Sequence, residues 1–154
     1  MPGPASDVDR IAVVRAAEAE TLVAGSSTLQ LLLDSSGALS AHRVRLVDGA
    51  VGAGPHRHER SSELFYVLDG TVDLLAGEQT LTATAGDLVV VPAGAAHAFA
   101  ASAGHDGELL VVLTPGVERF EFFRRLVDTH DPSDHEQYDI HDVASEAWLE
   151  RRAR

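Results

Sequence analysis

The sequence predicts an all-β fold, a barrel or sandwich of antiparallel strands. Short apolar or alternating runs recur through the middle of the chain. Turn residues separate them at intervals of roughly eight to twelve positions. Only residues 117–128 carry apolar side chains at helical spacing. The 154 residues fit one domain. A domain of this size can bury enough surface to stand without a disulfide, and there is no cysteine to form one.

Residues 1–10 read as a flexible leader of proline, glycine and aspartate, residues 11–116 as the barrel, and residues 117–154 as a helix and extension. Ile11 to Val14 is a short strand candidate, and Arg15 to Glu20 one helical turn. Leu22 to Ala24 and Thr28 to Leu33 are strands around Gly25-Ser26-Ser27. Asp34-Ser35-Ser36-Gly37 is a turn signal. Leu39 to Val47 alternates as a half-buried strand does. Asp48 to Pro55 is a glycine-rich approach to the histidines that follow.

Glu63 to Leu68 is a strand ending at Asp69-Gly70, a hairpin signal. Val72 to Leu75 and Thr80 to Thr84 follow as strands. Leu88 to Val91 is apolar throughout and is expected to be buried on both faces. Pro92 stops it, and the segments at His97 to Ala101 and Leu109 to Leu113 complete the sheet. From Val117 to Asp128, Phe120, Phe123, Leu126 and Val127 recur at helical spacing, which predicts an amphipathic helix on the barrel's outside. Tyr138, Ile140, Val143, Trp148 and Leu149 are possible anchors in a polar tail.

Acidic residues outnumber basic ones 24 to 12, a formal net charge of −12. That field repels phosphate backbones and anionic lipid, which disfavours nucleic acid and membrane partners. The amino terminus lacks a signal-peptide pattern, and the apolar runs are too short to span a bilayer. These features point to a cytoplasmic protein acting on a small molecule.

His56-Arg57-His58 carries the chemistry. Positions separated by one intervening residue in a strand face the same side. Glu63 begins the next strand, and His97 follows Pro92-Ala93-Gly94. Imidazole nitrogens with a carboxylate oxygen form a ligand set suited to Fe, Mn, Ni, Cu or Zn. Three imidazoles and a carboxylate converging in a barrel mouth is the central expectation. Phe65 and Val67 share the parity of Glu63, and Phe99 that of His97, so these three are expected to line an apolar substrate pocket. Tyr66, Leu68 and Ala98 then face outward, toward a partner in a homodimer or under the amino-terminal strands of the same chain. His42 shares a strand face with Val44 and Leu46, a face that could be the interior. His105, His130, His135 and His141 read as exposed residues without a role.

These residues resemble the paired motifs of the cupin superfamily. In the first motif, G(X)5HXH(X)3,4E(X)6G, His56, His58, Glu63 and Gly70 fall in register, while Ala50 stands at the leading glycine. In the second, G(X)5PXG(X)2H(X)3N, Gly86, Pro92, Gly94 and His97 fall in register, with Ala101 replacing the asparagine. The likeness extends over about residues 28 to 113. With the Thr114-Pro115-Gly116 step and the Phe-rich helix, the chain is similar to small single-domain actinobacterial cupins labelled quercetin-dioxygenase-like.

The resemblance implies a jelly-roll barrel, usually dimeric, with a divalent transition metal (Fe, Ni, Mn or Zn) held by His56, His58, Glu63 and His97. Glu63 is then also the candidate catalytic base. Among the activities of cupins, a dioxygenase acting on a small aromatic or enolic, flavonol-like substrate is the expectation. A non-redox cyclase or isomerase and a ligand-binding protein are the alternatives.

Overall fold

The computed structural model describes residues 11–129 and 135–154, so the leader at 1–10 and His130 lie outside the described residues. Ten strands follow in order: β1 (Glu20–Ala24), β2 (Ser27–Leu33), β3 (Ser40–Leu46), β4 (Val51–Arg57), β5 (Ser62–Ala76), β6 (Gln79–Thr84), β7 (Leu88–Val91), β8 (His97–Ala101), β9 (Gly107–Thr114) and β10 (His141–Asp142). Two helices, α1 (Phe120–Thr129) and α2 (Glu146–Arg152), complete the chain. The strand path is β1-β2-β3-β9-β5-β8-β4-β10, with β6 and β7 also paired to β5. All pairings are antiparallel.

The two leaves of this jelly roll are joined through β5. Its first half pairs with β9 and β7, and its second half with β8 and β6. Asp69-Gly70 is therefore not a hairpin, because the strand runs on through it. Gly70 makes the crossing possible. Its φ is +74°, and a Cβ there would overlap the carbonyl oxygen of Asp106. Between the leaves Phe65, Val67, Val72, Leu74, Leu109 and Val111 are completely buried. Each such side chain contributes roughly 1.5–3 kcal/mol through removal from water.

Both helices dock on the barrel through specific anchors. Asp34 Oδ1 accepts the backbone N–H groups of Arg119 (2.8 Å) and Phe120 (3.1 Å), capping α1 from a distant loop. Phe122 and Phe123 then pack with Leu31, Tyr138 and Ile140. At the other leaf, Ser145 caps α2 by accepting the Trp148 N–H. Trp148 covers Leu75, Ala98 and Ala100. Arg151 and Arg152 reach Asp73 at 3.0 and 3.4 Å, and Arg152 also donates to the carbonyls of Ala101 and Gly49.

Several expectations change. Ile11, Val13 and Val14 are exposed and lie in no strand. The glycine-rich approach is mostly strand β4. Strand β7 is not buried on both faces: Leu88 and Val90 are more than half exposed, because β7 is an edge strand paired only to β5. Ala98 does face outward, but α2 covers it, neither a partner nor the amino-terminal strands. Helix α1 lies outside the barrel as expected, but its apolar face is not idle packing. It forms a wall of the interior cavity. Among the described residues no helix is long and apolar enough to cross a membrane.

Candidate metal centre

His56 stands near the end of β4 and His97 at the start of β8, and the register of these neighbours sets the two residues opposite each other. Glu63 enters from the start of β5, and His58 from the turn just after β4. The candidate ligand atoms of His56, His58, Glu63 and His97 all lie within 4.8 Å of one another. Ring centroids are 4.3 Å apart for His56 and His97, 4.9 Å for His58 and His97, and 5.0 Å for His56 and His58. All four side chains are buried.

The surrounding backbone orients each ring. The Nδ1 atoms of His56, His58 and His97 lie 2.7, 2.7 and 3.0 Å from the carbonyl oxygens of Gly54, Asp139 and Ala95. A carbonyl oxygen only accepts, so each Nδ1 carries the proton. In the neutral ring Nε2 is then a bare lone pair. His58 Nε2 lies 2.7 Å and His97 Nε2 2.6 Å from Glu63 Oε2. The His97 contact is short but off the line of a hydrogen bond, and its Nε2 is buried without a hydrogen-bond partner. Electron-pair donors that converge with no proton between them are unfavourable unless a cation takes the lone pairs. The donor set therefore fits a metal ion, whose imidazole ligands characteristically donate their other N–H to a backbone or carboxylate oxygen.

Electrostatics agree with this fit. Burial, the largest cause, lowers the His56 pKa to about 4, so its ring is neutral at physiological pH. Burial pushes the Glu63 carboxyl up. The close imidazoles of His58 and His97 and the charge of Arg119 outweigh it and hold Glu63 well below the usual carboxylate range. Glu63 is an anion awaiting cations.

His56 and Glu63 open onto a cavity of about 860 Å3, within the range of small-molecule sites. Leu29, Val44, Leu46, Phe99, Phe122 and Phe123 supply its apolar wall. Phe99 lines it, as expected. Phe65 and Val67 do not: they face inward, but at their depth the barrel is filled, and both are completely buried. Phe65 instead stacks on Phe99 at 5.4 Å. The aromatic wall comes from α1, which the period of the sequence revealed but whose docking place it did not.

The polar residues outside the motif were less legible. His42 does face the cavity. His135 also lines it, with its Nε2 buried and unpartnered. His141 donates toward Asp139 Oδ1 at 3.1 Å and pairs in register with Arg57. These last two are therefore not idle surface residues. Arg119 lines the cavity although only 5% exposed. Its one sequence signal is its place directly before the amphipathic helix. A second acidic group, Glu59, Asp139 and His141, also clusters. There the Asp139 carboxylate already accepts the N–H groups of Glu59 and Arg60 at 3.0 Å each, so it clamps a turn.

A family model described as "Cupin domain" matches residues 42–113, the stretch that holds all four converging side chains. The barrel is a cupin. Over 77 residues this cupin is 35% identical to quercetin 2,3-dioxygenase of Bacillus subtilis (strain 168), which covers 49% of this chain and 22% of that protein. The matched stretch is thus about a fifth of that relative's length. Among solved structures the cupin resembles KdgF from Halomonas sp., with TM-score 0.60 and 23% identity over 68% of this chain and 93% of that one. It also resembles the polyketide cyclase RemF from Streptomyces resistomycificus, with TM-score 0.57 and 21% identity over 68% and 80% of the two chains. At these identities the solved structures speak for the fold, which hosts many chemistries.

Proposed function

We propose that this cupin is a metal-dependent dioxygenase acting on a small aromatic substrate with an acidic enol or phenol hydroxyl. The observation that carries the reading is the convergence of proton-free Nε2 atoms and the Glu63 carboxylate at the wall of a largely apolar cavity. The similarity to a quercetin dioxygenase across the matched stretch supports it. His56, His58, Glu63 and His97 would hold Fe, Ni, Mn or Zn. A bound redox-active ion would stabilise an enolate as a Lewis acid and mediate electron transfer to oxygen.

The protein supplies the rest. The apolar wall receives the substrate ring and excludes water from the reacting end. Glu63, ionised and facing the cavity, accepts the proton of the substrate hydroxyl, and its position among three imidazoles holds it in the acceptor state. The Nδ1–H bonds keep the rings aimed while that proton moves.

Oxygen uptake with quercetin, after loading separately with Fe, Ni, Mn and Zn, tests the reading. Uptake with a redox metal, absent in His97→Ala, is expected. Metal-loaded protein that consumes no oxygen would replace the dioxygenase with a non-redox cyclase or isomerase, or with a ligand-binding cupin.

A homodimer is the proposed assembly. The edge strand β7 presents Leu88 and Val90 beside Tyr66 and Leu68, all exposed. Sedimentation of Val90→Asp against the parent tests it: a dimer converted to monomer is expected, and a monomeric parent would contradict it.

A further inference from the structure

Arg119 is a cation in the wrong place for a structural arginine. It is 95% buried by its 5% exposure, it lines the cavity, and its guanidinium makes no hydrogen bond or ion pair with any described residue. The guanidinium carries five donors and does not deprotonate in proteins. A buried charge without a partner is costly and is kept where something else completes it.

The neighbours do not complete it. Asp34 is close enough to act on Arg119 electrostatically, but its Oδ1 is committed to the backbone N–H groups that start α1. Glu63 likewise acts on Arg119 only through space. Phe123 offers its ring face at 5.1 Å, which holds the guanidinium plane and leaves its N–H edge unanswered. Asp34 thus fixes where residue 119 stands, and Phe123 fixes how its head is oriented. His42, whose ring lies 4.9 Å from that of Phe123, also faces the cavity with no hydrogen-bond partner among the described residues. Burial brings its pKa down to about 3, so it is a neutral donor or acceptor beside the cation.

We propose that Arg119 is the anion anchor of this cavity, holding the carboxylate of a small aromatic or enolic carboxylic acid whose hydroxyl end faces Glu63 and the three histidines. A planar guanidinium matches a carboxylate with two parallel hydrogen bonds, the strongest neutralisation available to it. The assignment of the hydroxyl end rests on the proposed function, and the carboxylate end does not. It extends the proposed flavonol-like substrate class to small aromatic or enolic acids. With a formal net charge of −12, the surface has no general attraction for anions, so anion preference reports this site.

The test is a calorimetric titration of zinc-loaded full-length protein with trans-cinnamate and with its uncharged isostere trans-cinnamamide. Zinc keeps the metal constant and prevents turnover. The parent is expected to bind cinnamate about tenfold or more tighter than the amide. Arg119→Gln is expected to lose that preference with amide affinity unchanged, and Arg119→Lys to keep part of it. The melting temperature of Arg119→Gln should not fall, since no protein contact loses its hydrogen bond. Equal affinities in the parent, no binding of either probe, or a preference kept in Arg119→Gln would each overturn the proposal. So would a fall of several degrees in melting temperature with both probes lost, which marks a structural arginine. Absence of oxygen uptake with quercetin alongside a retained cinnamate preference removes the dioxygenase and leaves the anchor standing.

Discussion

His58 Nδ1 lies 2.7 Å from the backbone carbonyl oxygen of Asp139, eighty-one residues further along the chain. Asp139 itself sits at φ +57°, and its carboxylate holds the backbone of Glu59 and Arg60. One residue of the carboxyl-terminal extension thus sets the tautomer of a site histidine and fixes the turn that carries it. Burial raises the Asp139 carboxyl, and the two backbone N–H donors and His141 more than compensate, keeping it ionised.

Asp139→Ala should therefore weaken metal binding roughly 10- to 100-fold, the usual cost of losing support around a ligand. Asp139→Asn should recover only part of it, because asparagine tolerates positive φ but keeps one of the two acceptor oxygens that the Glu59 and Arg60 N–H groups use. Zinc competition against a chromophoric chelator measures both. Equal affinity in Asp139→Ala and the parent would remove Asp139 from the site's support.

Stability of the metal-free protein should fall on acidification before ordinary carboxylates titrate. His42 and His56 have folded-state pKa values of about 3 and about 4 against an ordinary 6.5, burial being the main cause of both. A depressed folded value means the unfolded chain binds protons first. The contribution is complete above pH 6.5 and drains away as pH falls toward 4 and 3. The loss is on the order of a few kcal/mol. Denaturant melts at pH 7.5 and 5.0 measure it, and His42→Gln should flatten the slope. An unchanged slope in that variant would show that His42 carries no such linkage.

Gly70→Ala should destabilise the fold by about 3 kcal/mol, since it adds both left-handed strain and an overlap with the Asp106 carbonyl. Gly77→Ala is the control. It has a similar φ but nothing within 4 Å of the added Cβ, so it should pay the strain alone. Urea denaturation separates the two, and equal losses would deny Gly70 its special place at the crossing.

Trp148→Ala should cost about 3–5 kcal/mol, the range for truncating a buried large aromatic side chain, by uncovering Leu75, Ala98 and Ala100. Metal affinity should hold, because α2 covers the far face of β8 and does not touch the ligands. A loss of metal in a variant that is still folded would tie α2 to the site.

The parts legible in the sequence were those governed by local period. Alternation placed β3, and the ordered spacing of His56, His58, Glu63 and His97 predicted their convergence, which the register of β4 with β8 brings about. What was not legible depended on partners far along the chain. Asp69-Gly70 carries a turn signature whichever way the strand continues, and the pairing partners of β5 decide the outcome. Apolar β7 looks buried until its place at an edge is known. Arg119, His135 and Asp139 carry no motif. Their placement follows from the docking of α1 and β10, and tertiary packing alone brings them to the cavity and to His58.

The central claim is that His56, His58, Glu63 and His97 form one metal centre, and metal content tests it most directly. Elemental analysis of the purified, metal-loaded parent should find close to one ion per chain. His58→Ala and His97→Ala should each lose it while the far-ultraviolet circular dichroism stays that of a β-barrel, because the core is built from Phe65, Leu74, Val111 and their neighbours and not from the ion. Metal content in either variant equal to the parent's, or no metal in the parent under any loading condition, would contradict the account.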